Sequence, residues 1–316
     1  FPLMKKIYPK AMYDREFIRC FGTSDFDAVI DYSGYGSFYS ILLLSAKNAK
    51  KLIWQHNDLL TDKNKIVNHK KPHSRELRVV FSTYQFYDKI VGCSEATMKV
   101  NLEKIGYSEL KDKCCFVRNA ANFERVINGS KESYTAESAN EAGFPDLLNK
   151  DLISFVNMGR LSPEKNQAAL IKAFAKAYDA NKNLRLYIIG DGALMGELKD
   201  LVHSLNLDGK VILTGNLDNP FMLMKDCSCF ILPSLHEGQP VSLLEARLLK
   251  LPIIMSNFSS AASSLFDNGQ LVIGNSVDDI YNGLIAFINN EVPTCEFEYA
   301  DYNNITIKQF EDIINE

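Results

Sequence analysis

Short apolar runs alternate with amphipathic helical stretches along most of this chain, and this alternation constrains the fold more than any other feature. Apolar runs bounded by turn residues are typical of buried strands, and a 3.6-residue period between them indicates helices. Strands that alternate with helices form parallel sheets through βα units. The sequence therefore predicts an α/β fold, with strands at 28–32, 51–55, 89–93, 115–118, 152–157, 184–189, 211–214, 229–232, 252–255 and 270–273.

The length of the chain predicts more than one domain. At 316 residues it exceeds the usual size of a single hydrophobic core. A polar stretch with little periodicity, residues 128–150, interrupts the alternation and indicates a linker. We expect two doubly wound, Rossmann-like domains, at residues 1–127 and 151–295, with a cleft between them. Ligands of such sheets bind at the carboxyl ends of the strands.

Charge is distributed unevenly between the two halves. Residues 1–125 hold 21 Lys and Arg against 14 Asp and Glu, whereas the remainder holds 14 against 25. A basic first half could face an anionic membrane or a polyanionic acceptor, and an ordinary solvated surface is the alternative. Nucleic acid is a poor candidate, because aromatic residues do not interleave with the basic ones in a known module. No apolar run is long enough to span a bilayer and no signal peptide is recognisable, so we expect a cytoplasmic protein, with peripheral contact at the inner membrane face left open.

The segment Glu237-Gly-Gln-Pro-Val-Ser-Leu-Leu-Glu245 lies between two apolar, strand-like runs. Pro240 suits the first turn of a helix, because its missing N–H would be unpaired there. The backbone amides of Gly238 and Gln239 would then form an anion site together with the helix dipole. Glu245 would follow Glu237 by about 12 Å if the whole segment were helical. One carboxylate could meet a sugar and the other a ribose, with phosphates between them, which outlines a nucleotide-sugar site.

Two cations follow the strand predicted at 152–157. Gly159, Arg160 and Lys165 lie at the carboxyl edge of the sheet, where the fork of an Arg and the point charge of a Lys suit a diphosphate. Lys165 is placed in the first turn of a helix, where the dipole disfavours a cation. An anionic ligand would explain that position, and two ordinary surface cations are the alternative.

Glycines follow two more strands of the second half. Gly190-Asp-Gly192 resembles a dinucleotide glycine loop, but the spacing to Gly196 is one residue too long. Gly215-Asn216 holds the equivalent position after the next strand. A plain strand-to-helix turn is the alternative, and we expect these loops to line the base or ribose pocket.

His56 ends a predicted strand in the other domain. A histidine there can donate to a sugar hydroxyl or stabilise charge, and a structural histidine at a strand end is the alternative. No cluster of His, Cys, Asp and Glu indicates a metal site. We therefore predict neither a metal nor a cofactor.

Taken together, these segments resemble the retaining glycosyltransferases of group 1, a GT-B-fold family with an E-x7-E motif. The resemblance covers nearly the whole chain and is specific in the second half and loose in the first. It rests on Gly159-Arg160 with Lys165, Gly190-Asp-Gly192, Pro233-Ser-Leu-His-Glu237-Gly-Gln-Pro-Val-Ser-Leu-Leu-Glu245-Ala and Leu251-Pro252, supported by Trp54-Gln-His56-Asn-Asp58, Val91-Gly-Cys-Ser94 and Phe116-Val-Arg-Asn119.

The resemblance implies transfer of a sugar from a nucleotide-diphosphate donor, with retention at the anomeric carbon and without a metal. Arg160 and Lys165 would bind the diphosphate, Glu237 the donor sugar, and Glu245 the ribose. His56 would lie beside the transferred sugar. Uracil is the default base, so a UDP-sugar is the expected donor.

The resemblance also bears on the ends of the chain and on the acceptor. Residues 296–316 resemble the family's final helix, which returns to the first domain. Members begin with a strand and a glycine-rich loop, so we expect the first domain to be incomplete at its N-terminus. The charge asymmetry and Asp31-Tyr-Ser-Gly34-Tyr resemble transferases that decorate bacterial cell-wall polymers such as teichoic acids, which implies a polyol-phosphate or lipid-linked glycan acceptor. A nucleotide-sugar epimerase and a non-catalytic nucleotide-sugar-binding subunit are the alternatives.

Overall fold

The computed structural model describes residues 10–65, 70–106, 108–257, 269–294, 297 and 299–316. The chain divides into two compact units. The first unit comprises residues up to Ala120 together with Asn303–Glu316, and the second comprises Ala121–Tyr302. Each unit is built on its own parallel β-sheet.

The first unit holds a four-stranded parallel sheet in the order β1-β2-β3-β4. Each strand runs in sequence order to the next, so every connection is a crossover of the βα type. Its strands are β1 (Ala28–Asp31), β2 (Lys50–Gln55), β3 (Lys89–Gly92) and β4 (Cys114–Phe116), and its helices are α1 (Lys10–Phe21), α2 (Ser37–Leu42), α3 (Leu59–Asn64), α4 (Ser74–Thr83) and α5 (Glu95–Ile105), with 3₁₀ turns at Leu43–Ser45, Tyr84–Phe86 and Ser108–Lys113.

Both faces of this sheet are covered. Along β2, Ile53 packs into a core with residues of α4, whereas Leu52 and Trp54 point to the other face and pack against Phe310 and Ile313. The alternation follows from the two-residue period of a strand. Helix α13 (Ala300–Asn315), from Asn303 onward, therefore belongs to the core of the first unit.

The second unit holds a six-stranded parallel sheet in the order β10-β9-β8-β5-β6-β7. The strand order reverses between β5 and β8, which is the switch point of a doubly wound sheet. Its strands are β5 (Ile153–Met158), β6 (Leu184–Ile189), β7 (Val211–Gly215), β8 (Cys229–Leu232), β9 (Ile253–Ser256) and β10 (Leu271–Ile273), and its helices are α6 (Phe123–Lys131), α7 (Ala136–Glu141), α8 (Gln167–Ala180), α9 (Met195–Ser204), α10 (Phe221–Met224), α11 (Val241–Leu248) and α12 (Val277–Ile288), with a 3₁₀ turn at Pro163–Lys165.

Two cores lie on opposite faces of the six-stranded sheet. Phe155 and Ile188 pack with α8, α9 and α12 on one face. Val156 and Tyr187 pack with α6, α10 and α11 on the other. Strands buried on both faces are nearly continuous apolar runs, which is why they were recognisable in the sequence.

The structure differs from the expected linker at 128–150. These residues belong to the second unit, and they include the end of α6 and the whole of α7. Phe123 and Val126 of α6 and Phe144 and Leu147 after α7 are buried in the core of that unit. The helices have only nine and six residues, fewer than the window over which a helical period is recognised in a sequence. The division between the units falls after Ala120 rather than after residue 127.

Candidate functional site

Three neighbouring strands of the second unit end in glycines, and these glycines bring three loops together at the carboxyl edge of the sheet. Gly190 has φ +131°, a region that side chains rarely adopt, and its N–H donates to the carbonyl of Gly215 at 2.9 Å. A Cβ at Gly190 would meet the carbonyl oxygen of Gly159. The loops after β5, β6 and β7 therefore approach one another through backbone alone.

A cavity of about 410 Å³ opens beside these glycines. Its volume is in the range of small-molecule binding sites. Four of its lining residues carry charge, namely Arg125, Arg160, Asp191 and Glu245. The other lining residues are Met158, Gly159, Ile189, Gly190, Asn216, Leu217, Pro220 and Phe221. The predicted residues Gly159, Arg160, Gly190, Asn216 and Glu245 are thus brought to one place.

Gly192 packs tightly against the loop after β5, and its expected part in binding the nucleotide stays a prediction. A Cβ there would lie 2.7 Å from the backbone nitrogen of Leu161. The two loops are also joined by a hydrogen bond from Leu161 N–H to the carbonyl of Asp191 at 2.9 Å. Neither Gly192 nor Gly215 lines the cavity. Both glycines contact the neighbouring loops through their backbone.

The guanidinium of Arg160 is exposed at the rim of the cavity. Its side chain is 74% accessible, and its ion pair with Glu164 is long, at 3.6 Å. The Arg160 carbonyl accepts a hydrogen bond from Gln167 Nε2 at 3.0 Å, which holds the backbone while the side chain extends outward. An exposed pair of this kind contributes little to stability. Arg160 can therefore turn to a ligand at small cost.

Lys165 does not lie in the first turn of a helix, contrary to the prediction. It ends the 3₁₀ turn Pro163–Lys165, and Asn166 in a left-handed conformation separates that turn from α8. The argument from an unfavourable helix dipole therefore does not apply. Lys165 Nζ instead forms an ion pair with Glu237 Oε1 at 2.6 Å, and the two side chains are only 17% and 12% exposed.

The ion pair is held by its surroundings. Ser234 Oγ donates to the same Glu237 oxygen at 2.7 Å. The Lys165 side chain lies along Gly159, where a Cβ would be 3.7 Å from Nζ. Because Gly159 also lines the cavity, the pair and the cavity are adjacent. The sequence predicted that Lys165 and Glu237 share a site, and the ion pair brings them into direct contact.

The segment after Glu237 is extended before it becomes helical. Helix α11 begins at Val241, and Pro240 is its N-cap rather than its first residue. Gly238, Gln239 and Pro240 are buried. Gln239 Nε2 donates to the hydroxyl of Tyr302 at 2.5 Å. Of the seven residues between the glutamates, only the last four are therefore helical. The predicted approach of a ligand to the amides of Gly238 and Gln239 stays a prediction.

Glu245 faces the cavity from α11 and is half-buried. Burial raises the pKa of its carboxyl, and the positive charge of Arg125 opposes that rise in the pKa. The carboxylate thus lies in a partly dry environment with one cation acting on it. Such a group accepts hydrogen bonds from hydroxyls more strongly than it would in water.

His56 lies in the first unit, directly after β2. Its Nε2 is 2.5 Å from the carbonyl oxygen of Tyr32, and the two rings meet edge to face with centroids 4.7 Å apart. This bond fixes the ring and leaves Nδ1 for another partner. These contacts hold the His56 ring at the end of the strand, and its role towards a sugar stays a prediction.

Sequence reasoning missed the part of the cavity that Arg125 contributes, and in the loop after β7 it found Asn216 but not Leu217, Pro220 and Phe221. Arg125 lies on α6, next to the segment expected to be a linker, and Phe221 follows a loop with no known motif. The Asn122 side chain accepts from Arg125 N–H at 3.0 Å and starts this helix, so the cap was the signal available in the sequence. Within the part of the chain that is described, no three His, Cys, Asp or Glu residues are grouped to hold a metal.

Residues 140–304 match the family described as Glycosyl transferases group 1. The chain belongs to this family. The match contains the ion pair of Lys165 and Glu237 and most of the cavity. The resemblance inferred from the motifs is therefore confirmed, and so is the expected α/β fold of two Rossmann-like units.

Relatives and solved structures agree with the family. The chain is 28% identical over 259 residues to an uncharacterized glycosyltransferase of Methanocaldococcus jannaschii, covering 82% of this chain and 60% of that protein. It is 30% identical over 198 residues to a Campylobacter jejuni N-acetylgalactosamine-N,N'-diacetylbacillosaminyl-diphospho-undecaprenol 4-alpha-N-acetylgalactosaminyltransferase, covering 61% and 50%. A solved structure of Staphylococcus aureus TarM with fondaparinux, alpha-GlcNAc-glycerol and UDP has the same fold, with a TM-score of 0.61 at 17% identity over 86% of this chain and 52% of that one.

The match is partial on the side of the relatives. The chain spans between half and three fifths of the two curated relatives named above. Among the described residues, no helix has both the length and the apolar character that crossing a bilayer requires. The GT-B fold and the family are shown, and the reaction, the substrates and the partners are matters for proposal.

Proposed function

We propose that this protein transfers a hexose-type sugar from a nucleotide-diphosphate donor to an acceptor hydroxyl, with retention at the anomeric carbon and without a metal ion. One observation carries the proposal. The Lys165–Glu237 ion pair, 2.6 Å long and largely buried, adjoins a cavity of about 410 Å³ that also holds Arg160 and Glu245. Cations for a diphosphate and carboxylates for two sets of sugar hydroxyls thus converge on one edge of the sheet.

The cations stabilise the leaving group. As the bond to the sugar breaks, negative charge grows on the diphosphate, and fixed positive groups lower the energy of that state. Lys165 has three N–H donors, and Glu237 takes one of them, so the ammonium can serve the phosphate while it stays paired. Arg160 brings a planar fork of donors from the rim of the cavity.

Glu237 and Glu245 divide the hydroxyls of the donor between them. Both hydrogen bonds of Glu237 in the described part of the chain fall on Oε1, and Oε2 is proposed to accept a hydroxyl of the sugar. Glu245 is proposed to accept the ribose hydroxyls, with Gly190 and Asn216 lining the pocket for the rest of the nucleoside. His56 is proposed to contact the transferred sugar through Nδ1.

Retention follows if the leaving phosphate accepts the proton of the attacking hydroxyl on the face that it leaves. No pair of carboxylates then acts as acid and nucleophile, in contrast to a retaining glycosidase. The donor sugar is bound as a UDP-sugar in this proposal. UDP is present in the TarM structure that shares the fold, which supports that choice without deciding it.

The test is a transfer assay with a panel of UDP- and GDP-sugars, in which release of the nucleoside diphosphate is measured and NMR reports the anomeric configuration of the product. Arg160→Ala should lower turnover about 10²–10³-fold, typical for loss of one charge stabiliser. Lys199→Ala, an exposed helix residue far from the cavity lining, is the matched control. An Arg160→Ala protein with unchanged turnover would contradict the assignment.

Two other outcomes are informative. Donor that changes its sugar configuration without an acceptor, seen by NMR, would indicate an epimerase. Donor that binds but is neither hydrolysed nor transferred would indicate a non-catalytic nucleotide-sugar-binding subunit. Either result would replace the transferase proposal.

The acceptor is proposed to be a polyol-phosphate or lipid-linked glycan used in making a cell-surface polymer of the teichoic-acid type. The Campylobacter jejuni relative acts on a diphospho-undecaprenol-linked substrate by its name, and the TarM structure contains alpha-GlcNAc-glycerol. Transfer to glycerol phosphate oligomers and to a prenyl-diphosphate sugar would be compared with transfer to a neutral disaccharide. Preference for the neutral sugar would contradict this part of the proposal.

A basic surface on the first unit is proposed to bind anionic membranes. Lys70, Lys71, Arg75 and Arg78 are exposed on and just before α4, which packs against α2 and α3. The nearby acidic groups are engaged internally, since the hydroxyl of Tyr35 donates to Asp62 and the Ser37 backbone N–H donates to Glu76 at 3.1 Å. Four exposed cations therefore outnumber the two nearby carboxylates, and each basic residue near an anionic bilayer contributes about 1 kcal/mol.

The membrane proposal is tested by sedimentation with vesicles of phosphatidylglycerol and phosphatidylcholine. Lys70→Glu/Lys71→Glu should weaken binding to the anionic vesicles at least about tenfold. Lys172→Glu/Lys199→Glu changes charge equally at exposed positions of the second unit and serves as the control. Unchanged vesicle binding together with slower transfer to polyol phosphate would assign the surface to the acceptor instead.

A further inference from the structure

Arg125 reaches the cavity of the second unit from a helix that the nucleotide-sugar motifs do not include. Helix α6 packs closely on the loop that follows β7, because Asn219 Nδ2 donates to the carbonyl of Gly129 at 3.0 Å. A Cβ at Gly129 would lie 2.8 Å from the ring of Phe221, so the helix could not approach with a larger residue there. This packing fixes where the Arg125 side chain can extend.

The guanidinium of Arg125 is oriented by weak contacts. Its central carbon lies 5.5 Å from the centroid of the Phe221 ring, and Nη2 donates to the carbonyl of Asp218 at 3.4 Å. The residue is exposed, and a cation over an exposed aromatic ring contributes little to folding. The five donors of the guanidinium are not used up by the fold, which is what a ligand-directed arginine requires.

Four charged groups line the same cavity. Arg125 comes from α6, Arg160 from the loop after β5, Asp191 from the loop after β6 and Glu245 from α11. Of the two cations, Arg160 is paired with Glu164 at the rim, whereas Arg125 acts on Glu245 and opposes the effect of burial on the pKa of that carboxyl. Arg125 is therefore the cation whose charge the half-buried carboxylate senses.

We propose that Arg125 is a positioning residue of the donor site, which extends into the cavity from the helix packed against α11 and fixes Glu245 as an anionic acceptor for the hydroxyls of the nucleoside. The inference rests on the proposed function, because it needs a nucleotide in this cavity. It assigns the part of the cavity beside α6 and α11 to the nucleoside and gives α6 a part in binding. A plain surface arginine, the competing explanation, would affect neither binding nor its pH dependence.

The test is calorimetric titration with UDP, from about pH 5 to about pH 8.5, of the full chain and three variants. Without the cation, the pKa of Glu245 should rise further, so the carboxyl is protonated over more of this range and accepts ribose hydroxyls poorly. Arg125→Gln should therefore weaken UDP binding by about three- to tenfold at the acid end of the range, with the loss shrinking as the pH rises. Arg125→Lys keeps the charge and should follow the unmodified protein.

Two controls isolate the cause. The terminal phosphate of UDP also ionises near pH 6, but that effect is common to all variants and cancels in the comparison. Arg125→Gln combined with Glu245→Gln should lose the extra pH dependence, since the titrating carboxyl is gone. High salt should reduce the difference between Arg125→Gln and the unmodified protein, because Arg125 is exposed and its charge is screened.

The outcomes separate the inference from the proposed function. If the unmodified protein binds no nucleoside diphosphate at millimolar concentration, the proposed function fails first. If it binds UDP and Arg125→Gln binds equally at every pH, Arg125 is a surface residue and the inference is wrong. If Arg125→Gln and Arg125→Lys are weakened equally at every pH, the side chain acts through its shape rather than its charge, which also overturns the inference.

Discussion

The two units of this protein are each built on a parallel sheet with helices on both faces, yet the carboxyl edges of the two sheets differ in what their side chains do. Each edge has a cavity of about 410 Å³. In the first unit the cavity is lined mainly by apolar side chains, among them Tyr32, Trp54 and Phe310. In the second unit two arginines, an aspartate and a glutamate line it.

The difference lies in the residues that follow the strands. In the first unit polar side chains close the edge on itself: Asp31 accepts from the backbone of Gly34 at 2.9 Å, and Asn101 bonds the Gln55 side chain at 3.1 Å. In the second unit glycines follow β5 and β6 and end β7, and the side chains of Arg160, Asp191, Asn216 and Glu245 line the cavity. A Rossmann-like edge thus becomes a binding site when its loops are packed by backbone and its side chains are left for a ligand.

The strongest test of this contrast is Lys165→Ala. It removes one charge stabiliser from the ligand-directed edge and leaves Glu237 with Ser234 alone, so turnover should fall about 10²–10³-fold. The measurement is the rate of nucleoside diphosphate release at saturating donor. Lys176→Ala is the control. The ion pair of Lys176 with Asp278 is also 2.6 Å long, but both of its side chains are more than half exposed. It should have no measurable effect. Equal losses in both variants would show that the burial of the pair has no functional meaning.

Asn101→Ala probes the closed edge of the first unit. Asn101 is 1% exposed, and it accepts from Leu59 N–H at 2.9 Å and donates to the carbonyl of Asn57 at 2.9 Å. Its removal leaves two buried backbone groups unpaired and should cost about 2–4 kcal/mol of unfolding free energy, read from urea melts. Lys99→Ala, in the same helix and on its exposed side, is the control. Binding of UDP should be unchanged, and a parallel loss of binding would break the separation between the two edges.

The strands of both sheets could be predicted from the sequence because they are buried on both faces. Leu184–Ile189 and Cys229–Leu232 were predicted with the bounds that the structure has, and each is a run of buried residues. Short helices such as α6 escaped notice. Their stability comes from tertiary packing, in this case of Phe123 and Val126, and nine residues are too few for a helical period to be distinctive in the sequence.

The site was predictable only where a motif marks it. Arg160, Lys165, Glu237 and Glu245 follow recognisable spacings, and the structure brings them to one edge. Arg125 could not be predicted, because its place in the cavity depends on how α6 packs against a loop almost a hundred residues later. The helix-dipole argument for Lys165 was wrong for a related reason. Asn166 adopts a left-handed conformation, so α8 begins only after it and Lys165 lies outside that helix.

Backbone packing between the loops is tested by a pair of glycine substitutions. A Cβ at Gly192 would lie 2.7 Å from the backbone of Leu161, whereas one at Gly196 in α9 has open space around it. Gly192→Ala should lose about 1–3 kcal/mol of stability by overpacking, together with UDP binding. Gly196→Ala should gain about 0.5–1 kcal/mol, because alanine is the better helix residue. A stable, active Gly192→Ala protein would show that the close approach of the loops is not required.

The smallest effect concerns two glutamates whose pKa values move in opposite directions. Bonds from the Ser37 hydroxyl and backbone lower the pKa of Glu76, whereas burial raises the pKa of Glu245. A lowered pKa contributes stability that is present above the ordinary pKa of a glutamate and is lost as the pH falls. A raised pKa does the reverse, with stability present in acid and lost as the pH rises through the shifted pKa. Glu76→Gln should therefore destabilise the free protein at pH 7 and Glu245→Gln should stabilise it. The difference for Glu245 vanishes below the ordinary pKa of a glutamate, whereas the difference for Glu76 vanishes only below the lowered pKa of that group.

Hydrogen exchange measures each change in its own unit, at α2 for Glu76 and at α11 for Glu245. The two stability changes have opposite signs because the two glutamates belong to sheet edges of different kinds. A carboxylate that the fold already satisfies adds stability, and one that is held for a ligand costs stability until the ligand arrives. UDP should accordingly reverse the order for Glu245, because bound nucleotide stabilises the unmodified protein by mass action more than the Glu245→Gln variant. If Glu245→Gln is destabilised in the free protein, its carboxylate is satisfied by the fold and the edge of the second unit is closed like that of the first.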